Sequence, residues 1–171
     1  VMSGLDTLHQ GKAERGADRK KRQVGFVFQQ FALLPWLSVY ENVELGLLAK
    51  GVPDHKRKEI VVRELKQFGL EKFTDSHPKE LSGGMRQRVG LARALAIDPK
   101  IIFMDEPFSE LDSFTAEELR KELLRIWQER KPTVVMVTHL IEEALELADR
   151  IAVLTPLPGK IEKIVVNHLP R

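Results

Sequence analysis

Leu81-Ser82-Gly83-Gly84-Met85-Arg86-Gln87-Arg88 is followed closely by Ile101-Ile102-Phe103-Met104-Asp105-Glu106-Pro107. The first stretch reads as a glycine turn opening a helix, with Ser82 at the N-cap and unpaired backbone N–H groups aimed outward. The helix runs through Leu91, Ala92 and Leu95 until Asp98-Pro99 stops it. The second stretch reads as a buried strand that ends in two adjacent carboxylates. A helix N-terminus carries about half a positive charge, which makes it a natural anion site. Glycines at 83 and 84 remove side chains that would keep a phosphate away from the backbone. A carboxylate at the carboxyl end of a parallel strand points into the crevice where α/β folds bind ligands. Asp105 could hold Mg2+ through water, since that ion keeps several of its waters. Glu106 could orient and deprotonate a water for attack on a phosphoryl group. An isolated Asp-Glu pair is commonly a strand-end cap, and Ser-Gly-Gly alone is an ordinary helix start. Four apolar residues before the acids, Pro107 after them and Ser109-Glu110-Leu111-Asp112 downstream favour the chemical reading.

Working outward, Val24-Gly25-Phe26-Val27-Phe28 predicts a strand, and Phe31 to Leu37 an apolar loop holding Pro35 and Trp36. Residues 39–48 predict a helix. Ile60, Val61, Leu65 and Phe68 make 56–68 an amphipathic one. Thr115-Ala116-Glu117-Glu118 has the form of a capping box ahead of Leu119, Leu123 and Ile126. Thr133–Val137 predicts a second buried strand, 141–148 a helix and Ile151–Leu154 a third strand. Strands alternating with helices argue for a mostly parallel α/β sheet. The helical stretch 39–95 reads as a subdomain inserted into it. Residues 1–22 are polar, and a hairpin is expected around Gly11-Lys12.

The bulk numbers narrow the function classes. A chain of 171 residues fits one core with a small insertion. Net charge is only +2, so a nucleic-acid partner is not indicated, and Arg15, Arg19, Lys20, Lys21 and Arg22 read as a solvated loop. With no cysteine, disulfides and thiolate metal sites are excluded. No apolar run approaches the roughly 20 residues that span a bilayer, and no signal peptide is visible at the start. The chain reads as cytosolic.

Leu81–Leu95, the Ile101–Pro107 strand, the Ser109–Asp112 turn and Val137-Thr138-His139 together resemble the ATP-binding subunits of ABC transporters, in that family's order and spacing. Val27-Phe28-Gln29 and Leu33-Leu34-Pro35-Trp36 are similar to its Q-loop and the continuation. The resemblance implies a P-loop NTPase-like (RecA-like) α/β fold with an inserted α-helical subdomain. Residues 1–30 would be the remnant of an N-terminal core, 31–96 the helical subdomain with the signature motif, and 97–171 the core bearing Walker B, D-loop and H-loop. It also implies roles. Asp105 would hold the metal, with Glu106 the catalytic base and His139 the switch histidine at the γ-phosphate. Gln29 would sense metal and water and relay the state to membrane subunits. Ser82, Gly83 and Gly84 would contact ATP held by the opposite protomer, and Asp112 would contact across the dimer. The cofactors would be ATP and Mg2+.

Met85 stands where the commonest signature has glutamine. The Met85 form, followed by Arg86-Gln87-Arg88, is similar to importers for nitrate, taurine and alkanesulfonates, as is Leu154–Ile161. Glu110 departs from the small residue usual in the D-loop. The implied partners are a second ATPase subunit (homodimer or heterodimer), transmembrane permease subunits and a substrate-binding protein, with no nucleic acid. The implied place is peripheral, on the inner face of the cell membrane. For Trp36 two readings stand, docking beneath a permease segment or packing under the helices. A DNA-repair or chromosome-associated ABC ATPase is disfavoured, because the motifs are tightly spaced and no heptads separate them.

One part of such an ATPase is not in the sequence. A P-loop reads Gly, four residues, then Gly-Lys-Ser/Thr. The Gly-Lys pairs are Gly11-Lys12, followed by Ala13, and Gly159-Lys160, followed by Ile161. Losing roughly four charge-assisted hydrogen bonds to phosphate removes about 6–12 kcal/mol, comparable to the ~8 kcal/mol of micromolar binding. The expectation is that the natural gene is longer, and that this chain alone binds ATP poorly and hydrolyses essentially none. The competing expectation is a hydrolysis-incompetent remnant acting as a binding or structural partner.

Overall fold

The computed structural model describes residues 24–169. The hairpin expected at Gly11-Lys12 and the basic cluster 15–22 lie outside them. Three strands, β1 (Val24–Val27), β2 (Ile101–Asp105) and β3 (Thr133–Val137), form a parallel sheet in the order β1-β2-β3. Val24 pairs with Ile101 and Ile101 with Thr133, so the strands end level with one another. Alternation sorts the side chains. Val27, Ile102 and Met104 are buried in the core. Phe26 and Phe103, directly paired on the opposite face, stack with centroids 5.4 Å apart, and Phe28 extends the stack at 5.7 Å from Phe26.

Between β1 and β2 the chain is helical. It runs through α1 (Val39–Ala49), α2 (Asp54–Gln67), two short 3-10 turns and α3 (Gly83–Ala96). Ser38 and Glu41 form a reciprocal capping box at the start of α1. Val39, Val43 and Leu47 of α1, Val61 and Leu65 of α2, and Val89, Leu91 and Leu95 of α3 share one core with the sheet. α3 lies close against β1: a Cβ on Gly25 would come within 3.0 Å of the Ala94 carbonyl. Fully buried Asn42 secures the apolar loop. Its Nδ2 donates to the carbonyls of Leu34, Leu37 and Ser38, and its Oδ1 accepts from the Leu34 N–H. A second buried polar group, Glu64, ties α2 to the end of α4 (Ser113–Arg130), because Arg130 donates to both its oxygens at 2.9 Å.

Four expectations change. The capping box at Thr115–Glu118 is not how α4 starts. Asp112 is the N-cap and accepts from the Thr115 N–H at 3.0 Å, which puts Thr115 at the third helical position. A carboxylate three residues upstream satisfies that N–H, leaving the threonine side chain for packing. Second, β3 is only half-buried, with both ends exposed, because among the described residues it pairs with β2 along one edge. Third, β4 (Arg150–Leu154) does not join the parallel sheet. It forms an antiparallel hairpin with β5 (Ile161–Val166), since the intervening Pro-Leu-Pro-Gly run is too short for a parallel crossover. Thr155 closes that turn by bonding to Lys160. Finally, Trp36 is 69% exposed, which removes the core-packing reading. No helix among the described residues is long and apolar enough to cross a membrane.

Candidate functional site

The predicted residues fall into two neighbouring groups joined by the segment 106–112. The first is built on the carboxyl ends of the parallel strands. Asp105 is the exposed last residue of β2. Glu106 leaves the strand through a left-handed backbone with φ +42°, a conformation that costs a non-glycine residue about 1–2 kcal/mol. Three hydrogen bonds hold it there. Its N–H donates to the Val137 carbonyl at 2.9 Å, and its carbonyl accepts from the Ser109 N–H at 3.2 Å and the Ser109 hydroxyl at 3.0 Å. This turn brings the Glu106 carboxylate between two loops. His139 Nδ1 lies 3.2 Å from its Oε2, and Gln29 Nε2 approaches the same oxygen at 3.5 Å. Gln29 follows β1 and His139 follows β3, so the level strand ends are what bring them together.

The loop carrying His139 is braced from below. The Thr138 hydroxyl donates to the buried carboxylate of Glu143 at 2.5 Å and accepts from the Leu140 N–H at 3.0 Å. The sequence reading missed Glu143. A signal was present, because Glu143 shares a helical face with Leu147 four residues on in α5 (Ile141–Leu147). No cluster of three or more His, Cys, Asp or Glu side chains that could hold a metal occurs among the described residues. A strand-end carboxylate such as Asp105 suits a cation that arrives with phosphate and water ligands, which is how Mg2+ is usually held.

The second group surrounds the start of α3. Ser82 caps the helix, its Oγ accepting from the Met85 N–H at 3.2 Å. The cap uses an oxygen lone pair, so the hydroxyl proton can still be donated to an acceptor beyond the helix end. Gly83 lies over the 109–112 turn, where a Cβ would stand 3.6 Å from the Glu110 carbonyl and 3.7 Å from Leu111. Gly84 has a packing reason of its own. A Cβ there would come within 2.5 Å of the Thr115 methyl on α4. Gly83 has no such packing requirement, since a Cβ there would make only ordinary contacts. Asp112 belongs to the same cluster, and its hydrogen bond from the Thr115 N–H holds its carboxyl below the usual carboxylate range. Buried Gln87 on α3 donates to the Pro107 carbonyl, fastening this helix to the turn that follows Glu106.

Gly84→Ala is expected to destabilise the fold by about 1–3 kcal/mol through overpacking, reduced by up to ~1 kcal/mol of better helix propensity. Adding Thr115→Ser, which deletes the methyl, should make the alanine neutral or stabilising. Urea denaturation midpoints check this, and an unchanged midpoint in Gly84→Ala would contradict the close packing.

The family model for ABC transporters matches residues 2–109. An uncharacterised ABC transporter ATP-binding protein of Methanocaldococcus jannaschii is 48% identical over the whole chain, which covers 65% of that protein. An aliphatic sulfonates import ATP-binding protein of Bacillus cereus is 43% identical over 99% of the chain and 68% of its own length. A nitrate import ATP-binding protein of Synechocystis is 41% identical over 99% of the chain and 65% of its own length. The chain thus spans about two thirds of these relatives. Among solved structures, the ATP-binding cassette MJ0796, in a dimeric post-hydrolysis state bound to ADP and Pi, superposes with a TM-score of 0.73. It is 41% identical, over 85% of this chain and 63% of that one. Strand-end acids, a capped glycine turn and a braced histidine loop thus sit in a chain with these relatives, and that chain belongs to the ABC transporter family.

Proposed function

We propose that the chain is the ATP-hydrolysing part of an importer for a small anion such as a sulfonate, taurine or nitrate. The observation that carries this is the convergence of Gln29 and His139 on one oxygen of Glu106 at the sheet's carboxyl edge. Two neighbours on Oε2 leave Oε1 for water, and Glu106 acts as its general base. Its position and left-handed turn point the base outward from the strand end. Asp105 holds Mg2+, which draws charge off the phosphates when bound. Gln29 and His139 fix the orientation of the base and sense the γ-phosphate. Ser82, Gly83 and Gly84 donate to ATP on a second protomer, and Asp112 contacts across that dimer.

Support for the dimer comes from the dimeric state of the similar cassette. Support for permease subunits and peripheral attachment to the membrane comes from relatives named as import proteins; a substrate-binding protein completes the proposed system. The exposed Trp36 beside the Gln29 loop is the docking point we assign to the permease. We divide the chain at residues 30/31 and 96/97, with the helical segment between them. A Gly-x4-Gly-Lys-Ser/Thr run does not occur in the 171 residues.

The test is ATP turnover with the cognate permease and binding protein, in a chain that also carries a P-loop from its reading frame or grafted from a relative. Turnover should rise when a sulfonate, taurine or nitrate is added. No response to any of these anions would refute the importer assignment. The alternative reading is a hydrolysis-incompetent partner. Absence of any Glu106-dependent turnover in the P-loop-bearing chain would establish that reading instead.

A further inference from the structure

Phe31 and Ala32, directly after the Gln29 loop leaves β1, are consecutive non-glycine residues with φ +60° and +45°. Each left-handed residue costs about 1–2 kcal/mol, and glycine would avoid the cost. Local hydrogen bonds from the Phe31 N–H to the Phe28 carbonyl and from the Ala32 N–H to the Gln30 carbonyl fold the turn. They leave the carbonyls of Phe31 and Ala32 to an outside partner. Arg93 of α3 fills that part, its Nη2 donating to Phe31 O at 2.9 Å and its Nη1 to Ala32 O at 2.6 Å.

Helical spacing brings more of α3 to the same turn. Arg86, Gly90 and Arg93 stand at i, i+4 and i+7, on one stripe of the helix. The Arg86 guanidinium lies 5.4 Å from the centre of the Phe31 ring. At Gly90 a Cβ would stand 3.7 Å from Phe31 O. Among the described residues the partners of the Arg93 guanidinium are these two carbonyls. A partly buried cation is more cheaply satisfied by a carboxylate, so a pair of backbone acceptors marks a site where the fork geometry itself is used. A lysine ammonium could not bridge both.

We propose that Arg93 is a positioning residue that clamps the strained Phe31-Ala32 turn and so holds Gln29 against Glu106. The clamp joins the helix opened by Ser82 to the loop that reaches the water-activating acid. A displacement of α3 then moves Gln29 relative to Glu106 Oε2. The catalytic half of this inference rests on the ATPase reading above, while the structural half does not need ATP.

Residue-resolved amide hydrogen exchange tests the structural half, in Arg93→Ala and in the milder Arg93→Lys. Exchange at Phe31 and Ala32 should speed up by about tenfold in Arg93→Ala, the worth of a lost charge-assisted hydrogen bond, and by less in Arg93→Lys. Rates at Val89–Ala94 of α3 and Ile102–Met104 of β2 should hold. Adding Ala32→Gly should slow the turn again, because glycine adopts the left-handed conformation without strain. In the P-loop-bearing chain, Arg93→Ala should lower kcat by about tenfold and Arg93→Lys by less, with the KM for ATP little changed. Unchanged exchange at 31–32, an equal rise throughout α3, or a loosened turn with unaltered kcat would each overturn the proposal. If Glu106→Gln also leaves turnover intact, the ATPase reading itself has failed, and the exchange rates still decide the clamp.

Discussion

Glu106→Gln is expected to lower ATP turnover by about 10²–10⁴-fold, the range for loss of a general base. ATP binding should be little changed. Glutamine matches the shape of glutamate and keeps the backbone bonds from Val137 and Ser109 that hold the left-handed turn. What it loses is the charge and the ability to take a proton. His139 Nδ1 and Gln29 Nε2 both face the affected oxygen, so neither can substitute as base without leaving its place beside it. The measurement is steady-state phosphate release alongside equilibrium ATP binding, in a chain that also carries a P-loop. Turnover within threefold of the parent would mean that the base lies elsewhere.

Ser82→Asp is the second large effect, and its design separates two roles of one residue. Aspartate caps a helix as well as serine, so the bond from the Met85 N–H and the stability of α3 should survive. The same carboxylate replaces a hydroxyl donor by a negative charge where the proposed function places a phosphate. Loss of one hydrogen bond to a charged group is worth about 1.5–3 kcal/mol, or roughly 10–150-fold, and repulsion adds to it. Turnover should therefore fall by at least about tenfold with the thermal midpoint nearly unchanged. Full turnover in Ser82→Asp would leave Ser82 as a helix cap and nothing more.

Much of this architecture is legible in the residues themselves. The β-branched and aromatic runs at 24–27 and 101–104 become parallel neighbours, and Ser82 caps the helix it was expected to open. Strand-end acids declare themselves, because four apolar residues followed by Asp-Glu-Pro can end a buried strand in only a few ways. The misreadings have physical causes. Thr115–Glu118 matches a capping box, yet Asp112 lies one turn earlier and competes for the same N–H. Periodicity identifies Ile151–Leu154 as a strand but carries no information about its partner, and the antiparallel pairing depends on a turn of prolines and glycine.

Other features need three dimensions. Gly84 looks like a phosphate-binding glycine, and only the Thr115 methyl on α4 reveals why a side chain is barred there. Asn42, Glu143 and Arg93 act through backbone or hydroxyl partners that no sequence spacing announces. The left-handed φ of Glu106, Phe31 and Ala32 is likewise invisible in the residue types, since none of them is glycine.

The central claim is that Ser82 serves a neighbour's ATP while Glu106 serves the ATP on its own chain. Mixing Ser82→Asp and Glu106→Gln subunits, each with a P-loop, tests it most directly. If the sites are shared across a two-fold dimer, a mixed dimer has one site carrying both defects and one intact site. Half of the dimers in an equal mixture are mixed, so turnover should recover to roughly a quarter of the parent value, although each variant alone is nearly inactive. If both residues served one site within one chain, every site in the mixture would carry a defect, and no recovery above the separate variants would appear.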